Sequence, residues 1–395
     1  MSDLISTPVH PGLVRGAIEL ERTEVGLLPQ RLPGWARRQF PDAYLRRVVA
    51  HPSGVRLAFR TEATAIELDV LPTKIAYVGG PTMPDGVYEL TVDGVVLART
   101  TVPGGKVELI DMTSMASTMQ PGEPGTARFA DLPAGPKDVR IWLPQTETTE
   151  LIALRTNAPV AESTSDGRRV WLHHGSSISH GSTAGSPTTT WPATAAALGD
   201  VELINLGFSG NALLDPFTAR TIRDTRADLI SVKIGINLTN ADLIRRRGFT
   251  PAVHGFLDTI RDGHPETPLL VVSPILCPIH EDTPGPGAPD FSSGALKFVA
   301  TGDPEDVANG KLTLSVIRAE LARIVALRAE HDPDLHYLDG RELFGEADVA
   351  ELPLPDDLHP APAGHVRIGE RFAQLAFGAD GVFSASQTNT AGSPR

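Results

Sequence analysis

The apolar positions of this chain follow two different periods, and the change between them divides the sequence in two. Between residues 42 and 157, short stretches alternate apolar and polar residues, as at 55–59 and 66–70. Alternation with a period of two predicts half-buried strands. Several such stretches without helical periodicity predict an all-β sandwich domain over residues 1–165.

A two-residue turn signal lies inside this β-rich region. Asp93-Gly94 stands between two alternating runs at 87–92 and 95–98. Because glycine tolerates the positive φ that a tight turn needs, this pattern predicts a β-hairpin. Further strands are predicted at 139–143 and 151–154.

Beyond the polar segment 161–167, apolar runs alternate with helical stretches. Such runs are typical of parallel strands buried on both faces. The alternation predicts an α/β domain over residues 166–380, with a flavodoxin-like, doubly wound parallel sheet. In such a sheet the functional residues lie at the carboxyl ends of the strands. The predicted strands are 170–173, 201–206, 229–234, 269–272 and 335–338, and the predicted helices lie near 190–199, 216–226, 251–262, 312–331 and 362–377.

Two segments depart from this alternation. Within residues 278–310, the proline- and glycine-rich stretch 284–289 excludes a helix or a central strand. Both a flap over the substrate site and a solvated insertion fit such a long loop. Residues 381–395 are low in apolar residues, and we expect a disordered tail there.

Composition narrows the class of protein. The length of 395 residues fits two domains, and the net charge of −13 disfavours a nucleic-acid partner. The N-terminus has no basic or long apolar stretch, and no window reaches the roughly 18 apolar residues of a membrane helix. We therefore expect a cytoplasmic protein without a membrane partner. The single cysteine, Cys277, excludes an intrachain disulfide, and we expect a buried structural thiol.

Two stretches carry the residue types of nucleophilic catalysis. Ser177 lies in the glycine-flanked stretch 175–181 after an apolar run, and Asp356 and His359 lie three residues apart near the C-terminus. A serine hydroxyl needs a base to remove its proton, and the base needs a third group to orient it. A shifted register, with Asp357 as the orienting acid, is an alternative.

Two further stretches follow predicted strands. The first, 205–211, contains Gly210, and the second places Asn237 after the apolar run 229–234. The four stretches, in this order, resemble the SGNH/GDSL hydrolase family, and the resemblance covers about residues 168–377. Ser176 differs from this family, which has aspartate at that position.

The resemblance implies a role for each matched residue. Ser177 would be the nucleophile, His359 the base and Asp356 the group that orients the imidazole. The backbone N–H groups of Ser177 and Gly210 and the side-chain amide of Asn237 would bind the oxyanion. His180, in the first stretch, is a candidate for the pocket lining. No cofactor and no metal are implied, because His173-His174 lacks a third ligand at a recognisable spacing.

The expected activity is that of a serine-dependent acyl-ester hydrolase acting through an acyl-serine intermediate, on a small-molecule acyl ester or thioester. The first alternative is an acyltransferase that moves an acyl group from an acyl-CoA thioester to a hydroxyl of a natural product or sugar. Both fit, because a sandwich followed by an α/β domain is similar to some carbohydrate esterases and to some GDSL-type acyltransferases. The second alternative is an inactive module that binds a glycan or partner.

Overall fold

The computed structural model of the protein describes residues 4–80, 83–111, 114, 116–163 and 167–384. The chain divides into two compact units, residues 1–167 with 186–188, and residues 168–185 with 189–395. The predicted domain boundary at 165 lies two residues before the first of these divisions. Each unit is described by itself below.

The first unit contains two β-sheets. Its strands are β1 (Ile5–Thr7), β2 (Val14–Arg15), β3 (Glu19–Arg22), β4 (Leu27–Gln30), β5 (Arg56–Thr61), β6 (Ile66–Tyr77), β7 (Val87–Val92), β8 (Val95–Thr101), β9 (Lys106–Ile110), β10 (Ser117–Gln120), β11 (Gly125–Phe129), β12 (Lys137–Trp142), β13 (Thr148–Thr156) and β14 (Val160–Glu162). The eight-stranded sheet has the order β10-β9-β6-β13-β4-β3, and in addition β1 pairs with β13 and β11 pairs with β6. The six-stranded sheet has the order β14-β5-β12-β7-β8, and in addition β2 pairs with β5.

One hydrophobic core joins the two sheets. It includes Leu57 and Ile141 from the six-stranded sheet, and Leu68 and Leu154 from the eight-stranded sheet. Side chains that alternate along each strand thus meet between two sheets, as in a β sandwich. The predicted N-terminal β sandwich is confirmed.

The predicted hairpin is confirmed at Asp93-Gly94. Strands β7 and β8 pair antiparallel up to Val92 opposite Val95. Asp93 and Gly94 have φ angles of +48° and +85°, the two positive values of a type I′ turn.

The prediction of β structure from residue 42 onward is wrong at its start. The first unit contains two helices, α1 (Gly34–Gln39) and α2 (Ala43–Ala50). The Asp42 side chain accepts a hydrogen bond from the Leu45 N–H and caps α2. Leu45, Val48 and Val49 are buried, at the i, i+3 and i+4 spacing of one helix face.

The second unit is built on a five-stranded parallel sheet with the order β16-β15-β17-β18-β21. Numbered along the chain this order is 2-1-3-4-5, the flavodoxin-like arrangement, so the predicted fold class is confirmed. The strands of the unit are β15 (Val170–Gly175), β16 (Glu202–Gly207), β17 (Leu229–Lys233), β18 (Leu269–Val272), β19 (Gly287–Asp290), β20 (Lys297–Ala300) and β21 (Leu335–Leu338). The helices are α3 (Ser177–His180), α4 (Trp191–Leu198), α5 (Pro216–Asp224), α6 (Ile236–Asn240), α7 (Arg246–Arg261), α8 (Leu314–Ala329), α9 (Glu346–Glu351) and α10 (Pro362–Phe372).

Helices cover both faces of this sheet. On one face, the ring of Trp171 stacks at 5.0 Å on Phe372 of α10, and His173 meets Trp191 of α4 at 4.6 Å. On the other face, His174 stacks at 5.9 Å on Phe256 of α7. Consecutive residues of β15 therefore face opposite helix layers, as a doubly wound sheet requires.

The α/β unit differs from the sequence prediction at the start of one helix, within the segment 278–310 and at the C-terminal tail. Helix α7 begins at Arg246, five residues before the predicted start, with Pro251 inside its second turn. The segment 278–310 contains a two-stranded antiparallel hairpin, in which Gly287 pairs with Ala300 and Asp290 with Lys297. The predicted tail begins too early, because Phe383 is fully buried. Residues 385–395 lie outside the described residues.

Candidate active site

Ser177 is the first residue of the short helix α3, and Ser176 links it to the end of strand β15. Gly181 ends this helix with a φ of +84°, a left-handed conformation that favours glycine. On the neighbouring strand β16, a Cβ at Gly207 would lie 2.4 Å from the backbone nitrogen of His180. Glycine at 207 therefore lets β16 pass close to α3 and support the turn that carries Ser177.

A continuous hydrogen-bond chain runs from Ser177 through His359 to Asp356. The Ser177 Oγ lies 2.9 Å from Nε2 of His359, and the Nδ1 of His359 lies 2.7 Å from Oδ2 of Asp356. The side chains of His359 and Asp356 are 15% and 18% exposed. The structure thus brings the three predicted catalytic residues together, although 182 residues separate the serine from the histidine in sequence.

The turn around Asp356 anchors its carboxylate. Oδ1 accepts hydrogen bonds from the backbone N–H groups of Leu358 at 3.0 Å and His359 at 2.7 Å. Burial by itself raises the pKa of Asp356, but hydrogen bonds from the His359 side chain and from the backbone outweigh it and lower the pKa. An ionised carboxylate accepts a hydrogen bond from Nδ1–H of His359, which leaves Nε2 free to accept a hydrogen bond from the Ser177 O–H.

The alternative acid, Asp357, points elsewhere. Its carboxylate pairs with Lys297, with 3.2 Å between Nζ and Oδ2. Its φ of +66° lies in the left-handed region, which non-glycine residues adopt at an energetic cost. The geometry therefore places Asp356, rather than Asp357, on the imidazole.

The two predicted oxyanion donors outside α3 follow the strands on either side of β15. Gly210 lies after β16, and Asn237 lies in α6 after β17. Asn237 is only 4% exposed, and its Oδ1 accepts the Ala212 N–H at 3.1 Å. This bond fixes the amide so that its NH₂ group is the donor that remains for a ligand.

Further contacts hold the turn of Gly210 against the nucleophile turn. The Phe208 N–H donates to the Gly175 carbonyl at 2.7 Å, and the hydroxyls of Ser182 and Ser209 lie 2.7 Å apart. Gly210 is exposed, with a φ of +68°. The residues predicted to bind the oxyanion thus lie on adjacent turns at the carboxyl edge of the sheet.

Three histidines near Ser177 are buried. His173 bonds through Nε2 to the Ser179 hydroxyl at 2.8 Å, and burial lowers its pKa well below the ordinary value. His174 bonds through Nδ1 to the Leu206 carbonyl at 2.8 Å, and burial lowers its pKa to about 4. His180, the candidate for the pocket lining, is 2% exposed. Both His173 and His174 are therefore neutral at pH 7.

Sequence reasoning missed the residues that support the site. Asn205 donates through Nδ2 to the Ser179 carbonyl and accepts the Gly207 N–H through Oδ1, which ties β16 to α3. Ser231 accepts a hydrogen bond from the indole of Trp171. The signal for these residues is weak, because a polar residue inside an apolar run marks a buried hydrogen bond without naming its partner.

One cavity of the α/β unit lies away from Ser177. A cavity of about 930 Å³ lies at the opposite edge of the parallel sheet, where Arg169, His336 and Phe383 line it. In the described part of the chain, no three His, Cys, Asp or Glu side chains group as metal ligands. Over the same residues, no helix has the length and apolar character needed to cross a membrane.

Comparison with known proteins agrees with this geometry. Residues 169–277 match the model of the GDSL-like lipase/acylhydrolase family. The 109 matched residues include Ser177, Gly210 and Asn237 and end before Asp356 and His359. A search of curated protein sequences finds no significant match.

Solved structures extend the similarity over both units. A salicylyl-acyltransferase from a tetracycline biosynthetic pathway has a TM-score of 0.76 and 28% identity, covering 93% of this chain and 95% of its own. A proposed GDSL-like lipase from Bacteroides ovatus has a TM-score of 0.65 at 17% identity, covering 94% and 96%. An acetyl xylan esterase from Butyrivibrio proteoclasticus has a TM-score of 0.54 at 11% identity, covering 97% and 100%.

The family match and these similarities confirm the resemblance to the SGNH/GDSL hydrolases. The protein carries a GDSL-like lipase/acylhydrolase domain and is an enzyme of the serine esterase or acyltransferase type. The last two structures share the fold alone with this chain, because their identities are low. These comparisons do not support the second alternative, an inactive module that binds a glycan or partner.

Proposed function

Because the α/β unit carries a GDSL-like lipase/acylhydrolase domain, we propose that the protein is a serine-dependent acyl-ester hydrolase with Ser177, His359 and Asp356 as its triad. The observation that carries this proposal is the hydrogen-bond chain of 2.9 and 2.7 Å through His359. Nucleophile, base and orienting acid stand in the order that acyl transfer to serine requires.

The first step forms an acyl-serine intermediate. His359 accepts the Ser177 proton on Nε2 while Oγ attacks the carbonyl carbon of a small-molecule ester or thioester. Asp356 stabilises the imidazolium that results. His359 then returns the proton to the leaving alcohol or thiol as the carbon–oxygen or carbon–sulfur bond breaks.

The oxyanion of each tetrahedral intermediate is stabilised by the N–H groups of Ser177 and Gly210 and by the Asn237 amide. A preorganised donor of this kind contributes roughly 3–4 kcal/mol to transition-state stabilisation. In the second step, His359 removes a proton from water, and the resulting hydroxide attacks the acyl-Ser177 carbonyl. His359 then returns this proton to the Ser177 Oγ as the bond between Oγ and the carbonyl carbon breaks, which releases the carboxylic acid and restores the free serine.

One observation favours a second candidate function, transfer of the acyl group to a hydroxyl. The salicylyl-acyltransferase shares 28% identity with this chain over 93% of its length. The same triad would then activate an acceptor hydroxyl in place of water, with an acyl-CoA thioester as donor and a natural product or sugar as acceptor. Neither reaction needs a cofactor.

The test of the proposed function is the hydrolysis of p-nitrophenyl acetate and longer acyl esters by the wild type and by Ser177→Ala. We expect turnover in the wild type, with kcat about 10⁶-fold lower in Ser177→Ala. The matched control is Ser176→Ala, because this neighbouring hydroxyl is buried and makes no hydrogen bond. Equal rates in the wild type and Ser177→Ala would contradict the proposal.

A partition experiment separates the two functions. The wild type is given an acyl-CoA thioester with and without a panel of hydroxyl acceptors, and the free acid and the ester product are measured by mass spectrometry. Free acid as the main product at every acceptor concentration supports the hydrolase. Ester that displaces free acid as the acceptor concentration rises supports the transferase.

A further inference from the structure

The turn that carries Asp356 and His359 contains a strained residue. Asp357, between them, has a φ of +66°. A non-glycine residue in this left-handed region is strained and persists only where its surroundings hold it. The contacts around Asp357 therefore show what keeps the turn in shape.

The hairpin β19–β20 supplies two of these contacts. The Phe298 N–H donates to the Asp356 carbonyl at 2.9 Å, and Lys297 pairs with the Asp357 carboxylate at 3.2 Å. On the other side of the turn, the Cys277 thiol lies 3.6 Å from the Asp357 carbonyl. Burial raises the pKa of Cys277 to about 12, so its S–H proton is retained and can donate.

The Phe298 side chain contacts the base itself. Its ring meets the His359 imidazole edge to face, with 5.9 Å between ring centroids and 74° between ring planes. Phe298 also packs against a small apolar cluster that includes Ile236, next to Asn237, and Leu358, next to His359. One aromatic ring therefore fixes the imidazole on one side and joins the turn of the base to the helix of Asn237.

We propose that the hairpin β19–β20 clamps the Asp356–His359 turn, with Lys297 and Phe298 as positioning residues for His359. This inference rests on the proposed function, because it takes His359 as the base. It gives the insertion 278–310 a role that its sequence does not reveal. The hairpin holds the imidazole between Ser177 and Asp356 through the Phe298 ring and through its contacts with the turn.

The experiment compares Lys297→Met and Phe298→Leu with two matched controls, one in the same insertion and one directly after it. Phe291→Leu makes the same change at a ring that is 64% exposed, and Lys311→Met breaks ion pairs to Asp242 and Asp306. We expect kcat to fall about tenfold in the first two variants, with KM within about twofold, because small displacements of a catalytic group are costly. The controls should keep the wild-type kcat, and Lys297→Arg should restore it.

A second readout reports on the base directly. The proton shared by His359 Nδ1 and Asp356 gives a low-field proton resonance, which we expect to weaken or shift in Lys297→Met and Phe298→Leu only. Thermal unfolding and circular dichroism verify that each variant is folded, and Phe298→Leu keeps most of the apolar volume.

Two results would overturn the clamp. One is an unchanged kcat and resonance in both hairpin variants, and the other is an equal loss in the hairpin variants and the controls. Failure of the proposed function is recognised separately, as wild-type turnover that does not depend on Ser177. In that case the resonance alone still decides whether the hairpin holds His359 on Asp356.

Discussion

Two histidines of the α/β unit make nearly the same hydrogen bonds and differ in their proposed roles. His359 bonds to Ser177 through Nε2 at 2.9 Å and to Asp356 through Nδ1 at 2.7 Å. His173 bonds to Ser179 through Nε2 at 2.8 Å and to Ser231 through Nδ1 at 2.7 Å. Distances alone do not distinguish the hydrogen-bond chain of His359, which carries the proposed catalysis, from the hydrogen-bond chain of His173 inside the sheet.

The differences are in charge and solvent access. The third group is a carboxylate beside His359 and a neutral hydroxyl beside His173. Only a carboxylate stabilises the imidazolium that forms when the serine loses its proton. His173 is fully buried, and burial lowers its pKa, whereas the side chain of His359 is 15% exposed. A serine–histidine contact thus indicates catalysis only where the imidazole can take up charge.

The largest effect that tests this comparison is expected from Asp356→Asn. An amide cannot stabilise the imidazolium and favours the wrong tautomer, so kcat should fall by about 10³–10⁴-fold while the fold is kept. Burst kinetics with p-nitrophenyl esters would measure the acylation rate.

Ser231→Ala is the matched change in the hydrogen-bond chain of His173. It removes the partner of His173 Nδ1 and should lower the free energy of unfolding by about 1–3 kcal/mol, because buried polar groups are left unpaired. Its kcat should stay within a few-fold of the wild type. A loss of kcat as large as that of Asp356→Asn would show that the hydrogen-bond chains of His173 and His359 act as one unit.

The comparison also shows where sequence reasoning reaches its limit. The strands of the parallel sheet were predictable, because each contains mainly apolar residues, as in the fully apolar strand Leu269–Val272. Ser177, Asp356 and His359 were found through the family resemblance. Ser231 and Phe298 were not found, because each meets its histidine across about 60 residues of sequence, and only the sheet order and the hairpin bring them together.

An intermediate effect on kcat is expected at the proposed oxyanion site, which has no counterpart in the hydrogen-bond chain of His173. Asn237→Ala removes a side-chain donor, and kcat should fall by about 10²–10³-fold with little change in KM. Asn240→Ala, in the same short helix, is the matched control and should retain wild-type turnover. An Asn237→Ala variant with unchanged kcat would remove Asn237 from the proposed oxyanion site.

The last prediction concerns the pH dependence of stability and the buried His174. Burial lowers the pKa of His174 from 6.5 to about 4, so the unfolded state binds more protons than the folded state between these values. Stability from this group is therefore fully present above about pH 6.5 and falls by about 3 kcal/mol as pH decreases to 4.

Urea unfolding of the wild type and His174→Gln at several pH values measures this contribution. The variant should be less stable at pH 7 and should lose stability less steeply as pH decreases. Parallel curves for the two proteins would show that His174 is protonated equally in the folded and unfolded states.

The buried thiol behind the Asp356–His359 turn has a practical consequence. Cys277 is the single cysteine of the chain, is 2% exposed and keeps its proton far above neutral pH. Since thiolates rather than thiols react with maleimides and iodoacetamide, we expect the native folded protein to resist these reagents. One cysteine introduced on the surface would then be the sole labelling position, so fluorophores or spin labels can be attached without first replacing Cys277.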